Sequence, residues 1–215
     1  MKPLVLVGDA LWISPYVFTV FVALREKGLP FEVEELALQD GATRAPGYGD
    51  RTITGRVPAL EHDGFSLAES SAIVEYLEDV FPPPAHAALL PVAPRERARA
   101  RQLLSWLRSD DTAALRRERP TSTMFYERAT APLSESAQAA ADKLVRVSER
   151  LLQGRRQLFG AFTLADADLA FMLHRLLLNG DAVPDGVAGF ARAQWERPSV
   201  NAFVARPRPP FVPYA

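Results

Sequence analysis

The sequence has no cysteine, which excludes disulfides, a thiolate nucleophile of the chain's own and thiolate metal ligation together. Any thiol chemistry here must use a borrowed thiol. Histidine is scarce as well. His62, His86 and His174 lie far apart, with no metal-ligand spacing such as HExxH, so no metal site is expected. Long apolar runs are missing: nothing approaches the ~18–20 residues of a membrane span, and the opening (Met1, Lys2, Pro3, then Leu4 to Val7) is too short for a signal peptide. A soluble, cytoplasmic chain without a membrane partner is the expectation. Excess charge of one sign is absent too, with 25 Lys plus Arg against 26 Asp plus Glu. Such a balance gives no field to draw nucleic acid or an acidic membrane face. Lysine is limited to Lys2, Lys27 and Lys143; the skew toward arginine carries no functional reading.

What is present is a globular composition. The 215 residues are 48% hydrophobic and 24% charged, enough for one large or two small domains and well away from disorder. Pro82, Pro83, Pro84, Pro91 and Pro94 interrupt any helix or central strand, so residues 82–94 are read as a linker between a domain at 1–81 and another at 95–215.

In the first domain Leu4 to Val7 reads as a short buried strand and Phe31 to Leu38 as a second. Between them a helix begins at Ser14-Pro15, a cap residue followed by proline at the first helical position, and stops at Gly28 and Pro30. After an irregular stretch from Gly41 to Gly55, Val57 to Glu61 and Phe65 to Ala68 flank Asp63-Gly64, a hairpin signal. Ser70 opens a helix ending near Phe81. This order predicts a mixed four-stranded sheet with helices on its faces, an α/β domain that resembles the thioredoxin-like fold.

Beyond Pro94 helical periodicity takes over in 95–119, 134–152 and 164–178, so the second domain is expected to be an all-α bundle. Eight arginines in the first of these stretches read as a solvated basic face, or else as a local positive potential near an anionic ligand. Thr163-x-x-Asp166 opens the third as a variant capping box, a structural element whose loss is expected to lower stability. The proline-rich tail from Pro207 is expected to be extended or irregular.

The run Gly55-Arg56-Val57-Pro58-Ala59-Leu60, then Asp63-Gly64, Leu67, Glu69-Ser70-Ser71-Ala72-Ile73, Tyr76 and Leu77, resembles the glutathione-site half of the cytosolic glutathione transferases in identity, order and spacing. The resemblance extends to about Arg206. Physical reasons accompany each element. A helix start at Ser70 concentrates unpaired donors and positive potential for a carboxylate, and Glu69 offers a negative group to an ammonium; Ser70 as a plain cap is the alternative. Val57 before proline is pushed to an extended backbone that pairs with a peptide laid alongside, and the resemblance implies a cis bond to the structural Pro58. Arg56 either reaches a glycyl carboxylate or is a surface arginine.

Ser14 is expected to accept from the helix backbone while donating its proton to the sulfur, and the resemblance places it as a serine-type, bacterial-branch catalytic residue; capping alone also accounts for it. Tyr16 and Thr19 are the runners-up. The electrophile is expected near Trp12, Trp106, Ser109 and Asp110, with Phe125 and Tyr126 further candidates; Trp106, Ser109, Asp110 and Ala113 are spaced for one helical face. Core packing is the alternative for the aromatics.

What the resemblance implies is a homodimeric glutathione transferase for detoxification or oxidative stress. Glutathione is a co-substrate, no cofactor is needed, and the thiolate attacks an apolar electrophile. Glutathione-dependent peroxide or disulfide reduction, and a non-catalytic binding or regulatory protein of the same fold, are the alternatives.

Overall fold

The computed structural model describes residues 3–45 and 47–214, without the side chain of Asp50. The chain's opening residues Met1 and Lys2, and the outermost domain limits 1 and 215, therefore lie outside the described residues. The chain forms two compact units. One runs to Leu89 and takes in the tail from Ala205; the other is Leu90–Val204. The tail thus groups with the first unit and not with the helical domain to which a division at 95–215 assigned it.

In the first unit the order is β1 (Leu4–Asp9), α1 (Pro15–Glu26), β2 (Phe31–Leu36), two short 3-10 turns, α2 (Tyr48–Arg51), β3 (Ala59–His62), β4 (Phe65–Ala68) and α3 (Ser70–Val80). The sheet order is β2-β1-β3-β4. β1 runs parallel to β2 and antiparallel to β3, and β4 returns antiparallel to β3, as the thioredoxin-like expectation required. β1 is an almost continuous buried run because both of its faces are covered, the pattern of a central strand. The hairpin turns on Asp63 and Gly64, with φ of 49° and 88°, as a tight primed turn demands. α1 lies close upon β1. A Cβ at Gly8 would stand 2.9 Å from Val17 Cγ1, so only glycine admits this approach, and Val17 to Leu24 are all buried.

β3 begins two residues later than the sequence suggested. Val57 and Pro58 stand before its ladder, since proline has no N–H to give a neighbouring strand, and the bond between them is cis. The start of the expected linker is fastened to the first unit. Buried Lys27 Nζ meets Glu78 at 2.9 Å and donates to the carbonyls of Phe81 and Ala87 at 2.7 and 3.1 Å, while Glu78 accepts the Leu89 N–H at 2.8 Å.

The second unit is helical: α4 (Pro94–Leu107), α5 (Ala113–Glu118), α6 (Ser122–Phe125), α7 (Glu135–Leu152), α8 (Leu164–Leu177), α9 (Asp185–Trp195) and α10 (Pro198–Val204). α8 is buried almost throughout and is the centre of this core. The periodicity over 95–119 is not one helix. α4 stops at Leu107, Ser109 swings to ψ 174° and a 3-10 turn follows at Asp110–Thr112. The Ser109 and Thr112 hydroxyls donate to the carbonyls of Trp106 and Leu107 at 2.7 and 3.0 Å, an alternative to continued helical bonding. Trp106, Ser109, Asp110 and Ala113 consequently do not share one helical face.

Candidate functional site

The register of the sheet gathers three loops at one end. Val7, Ala59 and Ala68 lie in a row across β1, β3 and β4. Just beyond that row the chain leaves β1 toward Ser14, enters β3 through Val57-Pro58 and leaves β4 through Glu69-Ser70. Candidates separated by up to about a quarter of the sequence are therefore neighbours by topology.

Ser14 is the cap of α1. Its Oγ accepts the Val17 N–H at 3.3 Å, and Pro15 occupies the first helical turn without an N–H to satisfy. A hydroxyl has one proton and two lone pairs, so this bond leaves the proton available to an acceptor beyond the helix end. Thr19 turns its hydroxyl back to the Pro15 carbonyl at 3.0 Å, which commits it to the helix. Tyr16 is half-buried.

The loop carrying Ser14 is organised by Asp9, a residue the sequence reading did not single out. The Asp9 carboxylate is buried. It accepts the Ile13 N–H at 2.7 Å and the Ser14 N–H at 3.2 Å, and the Tyr214 hydroxyl donates to it at 3.0 Å. Burial pushes the Asp9 carboxyl above the usual aspartate range, and the Ile13 N–H, the Tyr214 hydroxyl and the Ser14 N–H pull it back. An acidic residue ending an otherwise apolar strand was the available signal; its partners were not readable.

At α3 the cap position belongs to Glu69 and not to Ser70, which is the first helical residue. The Glu69 side chain does not cap the helix, is exposed, and sits on a backbone of φ 70°, a conformation non-glycine residues hold only when their surroundings impose it. The first intrahelical bond is from the Ile73 N–H to the Glu69 carbonyl. The N–H groups of Ser70, Ser71 and Ala72 thus precede the helical ladder and present the positive end of an 11-residue helix. A carboxylate fits these donors, and the Glu69 carboxylate alongside suits an ammonium.

Val57 packs against Val7, Tyr48 and Ala59, and its N–H and carbonyl fall beyond the last register pair of β1 and β3. The buried Tyr48 hydroxyl donates to the Arg56 carbonyl at 3.1 Å, which steadies the approach to Val57. Burial raises the Tyr48 phenol to about 12, so it remains a donor at any working pH. The Arg56 side chain is exposed.

Of the electrophile candidates, Trp12 is in the first unit, buried, with its indole N–H on Glu35 at 2.8 Å. In the second unit the Trp106 indole N–H donates to Asp111 at 3.0 Å, Ser109 is engaged by the Trp106 carbonyl, and Asp110 is exposed. Phe125 packs with Phe171 and Trp195 in an aromatic cluster, and Tyr126 closes α6. Among the described residues no group of His, Asp or Glu is placed to hold a metal ion, and no helix is long and apolar enough to cross a membrane.

Comparison with known proteins also divides the chain in two, with the C-terminal match extending into the tail as far as residue 208. The family model described as glutathione S-transferase, N-terminal domain, matches residues 13–80, and the one described as glutathione S-transferase, C-terminal domain, matches residues 94–208. A crystal structure of a glutathione transferase homolog from Burkholderia, with bound glutathione, is 40% identical, covers 95% of this chain and 97% of that one, and superposes with a TM-score of 0.79. A glutathione S-transferase from Rhodospirillum rubrum is 27% identical over 96% of each chain, with a TM-score of 0.72. Among curated proteins, glutathione transferase GST 23 of maize is 32% identical over 146 residues, 68% of this chain and 60% of that protein. A glutathione S-transferase of Pseudomonas putida is 40% identical over 43% of this chain and 39% of its own length. The chain therefore matches less than two thirds of the length of these curated relatives.

Proposed function

Because this chain belongs to the glutathione S-transferase family, we propose that it is itself a glutathione transferase of the serine type, with Ser14 as its catalytic residue. The observation that carries the reading is the position of Ser14. It caps α1 at the same end of the sheet that presents Val57-Pro58 and the uncapped start of α3.

Glutathione lies along that end. Its γ-glutamyl carboxylate meets the free N–H groups at Ser70 and Ser71, and its ammonium meets Glu69. The cysteinyl backbone pairs with Val57, and Arg56 takes the glycyl carboxylate. The sulfur then falls at the N-terminus of α1, where the Ser14 hydroxyl donates to it and the helix end favours its negative charge. Bringing a thiol of pKa ~8.5 to near 7 requires about 2 kcal/mol of preference for thiolate, within reach of one charge-assisted hydrogen bond and a helix terminus. The thiolate attacks an electrophilic carbon. A C–S bond forms while the leaving group departs with its electron pair, or the adjacent atom takes a proton. The reading further has the protein acting as a homodimer in the cytoplasm, with Trp106, Ser109 and Asp110 as candidates for contact with the electrophile, whereas the burial of Trp12 removes it from that set.

Titration of the ultraviolet thiolate absorbance of added glutathione tests the reading. The wild-type protein is expected to show bound thiolate near neutral pH. Ser14→Ala is expected to raise the apparent thiol pKa by about one unit or more and to lower turnover about tenfold, with glutathione affinity changed less than about threefold. Absence of bound thiolate in the wild type would overturn the transferase reading; equal titrations would remove Ser14 from it.

A further inference from the structure

The tail returns from α10 to the first unit and ends on the loop that presents Ser14. Arg208 donates from Nε and Nη2 to the Trp12 carbonyl at 3.2 and 3.1 Å, and from Nη1 to the Arg206 carbonyl at 2.9 Å. Arg206 lays its guanidinium over the Trp12 ring at 3.9 Å and meets Glu35 at 3.1 Å. Glu35 in turn accepts the Trp12 indole N–H at 2.8 Å. Tyr214 donates to Asp9 Oδ2 at 3.0 Å, the same oxygen that accepts the Ile13 N–H at 2.7 Å.

Trp12 has φ 52°. A bulky residue in the left-handed region is strained and persists where several contacts impose it. Here its carbonyl, its indole N–H and its ring face are each held, and two of the three holds come from the tail. The conformation of Trp12 sets the direction in which the chain reaches Ser14 two residues later. Asp9 fixes the other side of the same turn through the Ile13 and Ser14 N–H groups, and Tyr214 bonds the carboxylate that does so.

We propose that the tail Ala205–Tyr214 is a brace on the β1–α1 loop, in which Arg208 and Tyr214 are positioning residues that hold Ser14 at the sulfur of glutathione. The proposal rests on the transferase reading for its chemistry but not for its geometry. Neither residue touches the reacting atoms. Both act through Trp12 and Asp9, which lie between them and the catalytic hydroxyl.

Tyr214→Phe removes one hydroxyl without altering the ring, and Arg208→Ala removes the fork while Arg208→Lys keeps a single donor. Two readouts are compared with the wild type. The first is amide exchange of residues 10–16, which needs no glutathione: faster exchange at the Ile13 and Ser14 amides, by about tenfold, is expected in Arg208→Ala and to a smaller degree in Tyr214→Phe. The second is the titration of bound glutathione. Its apparent thiol pKa is expected to rise by about one unit in Arg208→Ala, with partial return in Arg208→Lys and glutathione affinity nearly unchanged. Unchanged exchange in both variants overturns the brace even if the wild type activates glutathione. A wild type that forms no thiolate overturns the transferase reading, while the exchange result still decides whether the brace exists. Faster exchange with an unchanged thiol titration overturns the positioning role.

Discussion

At the scale of single residues the chain relies on buried carboxylates that gather backbone donors. Asp166 is the fullest example. It is wholly buried, and it accepts the Leu158 N–H at 2.7 Å and both the N–H and the hydroxyl of Thr163 at 2.8 Å. Burial pushes its carboxyl above the usual aspartate range and these three donors oppose that push. Asp166→Ala leaves them all without an acceptor, and unfolding in urea is expected to show a loss of ~3 kcal/mol or more. Asp166→Asn keeps one acceptor oxygen and is expected to lose less. An unchanged midpoint in Asp166→Ala would show that the three bonds do not contribute to stability. The Thr-x-x-Asp spacing made half of this legible in the sequence. Leu158 was not legible, because its N–H comes from a loop whose path is set by the rest of the fold. Asp9 is hidden for the same reason, since its use as an acceptor depends on how the chain turns between Trp12 and Ser14.

At the scale of elements, proline marked the linker but did not reveal that its first half is tied down. Lys27, just past the end of α1, is fully enclosed and bonds Glu78 of α3 together with the carbonyls of Phe81, at the end of α3, and Ala87, in the linker, and Glu78 holds the Leu89 N–H. Lys27→Met would leave Glu78 buried without its cation and two carbonyls without a donor. A loss of ~3–5 kcal/mol is expected in denaturant unfolding, with faster proteolysis across 82–89. Wild-type stability and wild-type proteolysis together would mean that the strap is not formed. Elements with local punctuation were readable: Ser14-Pro15 starts α1, Gly28 follows its end, and Asp63-Gly64 joins β3 to β4. The break after Leu107 was not, because hydroxyl capture by Ser109 and Thr112 overrides a periodicity that runs through it. α9 was missed where Gly186 and Gly189 depress helix propensity, although the packing of Val187, Ala188, Phe190 and Ala191 in the core makes it a helix.

At the scale of the whole molecule, the tail is joined to the first unit by bonds between residues 171 to 205 positions apart, which no local pattern announces. Whole-chain stability also has a pH dependence to which one buried histidine contributes. His174 is buried in α8, stacks on Trp195 with ring centroids 3.7 Å apart, and turns Nδ1 to the Ala170 carbonyl at 2.8 Å. Burial lowers its pKa to about 4; the Ala170 carbonyl works against that shift and Arg192 adds to it. The folded ring is therefore neutral at pH values where the unfolded ring, near 6.5, already takes a proton. Stability from this group is complete above about pH 6.5 and is lost as the pH falls from there toward 4, by about 1 kcal/mol between pH 7.5 and 5.5. Asp9 and Asp166, whose folded pKa values are raised, contribute in the opposite sense as the pH falls, so the informative quantity is a difference between proteins. His174→Phe keeps an aromatic ring against Trp195 and cannot titrate. Its denaturant unfolding free energy, followed from pH 7.5 to 5.5, is expected to fall by about 1 kcal/mol less than that of the wild type. Parallel curves for the two proteins would show that His174 takes its proton as easily in the folded chain as in the unfolded one, and the destabilisation on acidification would then belong to other groups.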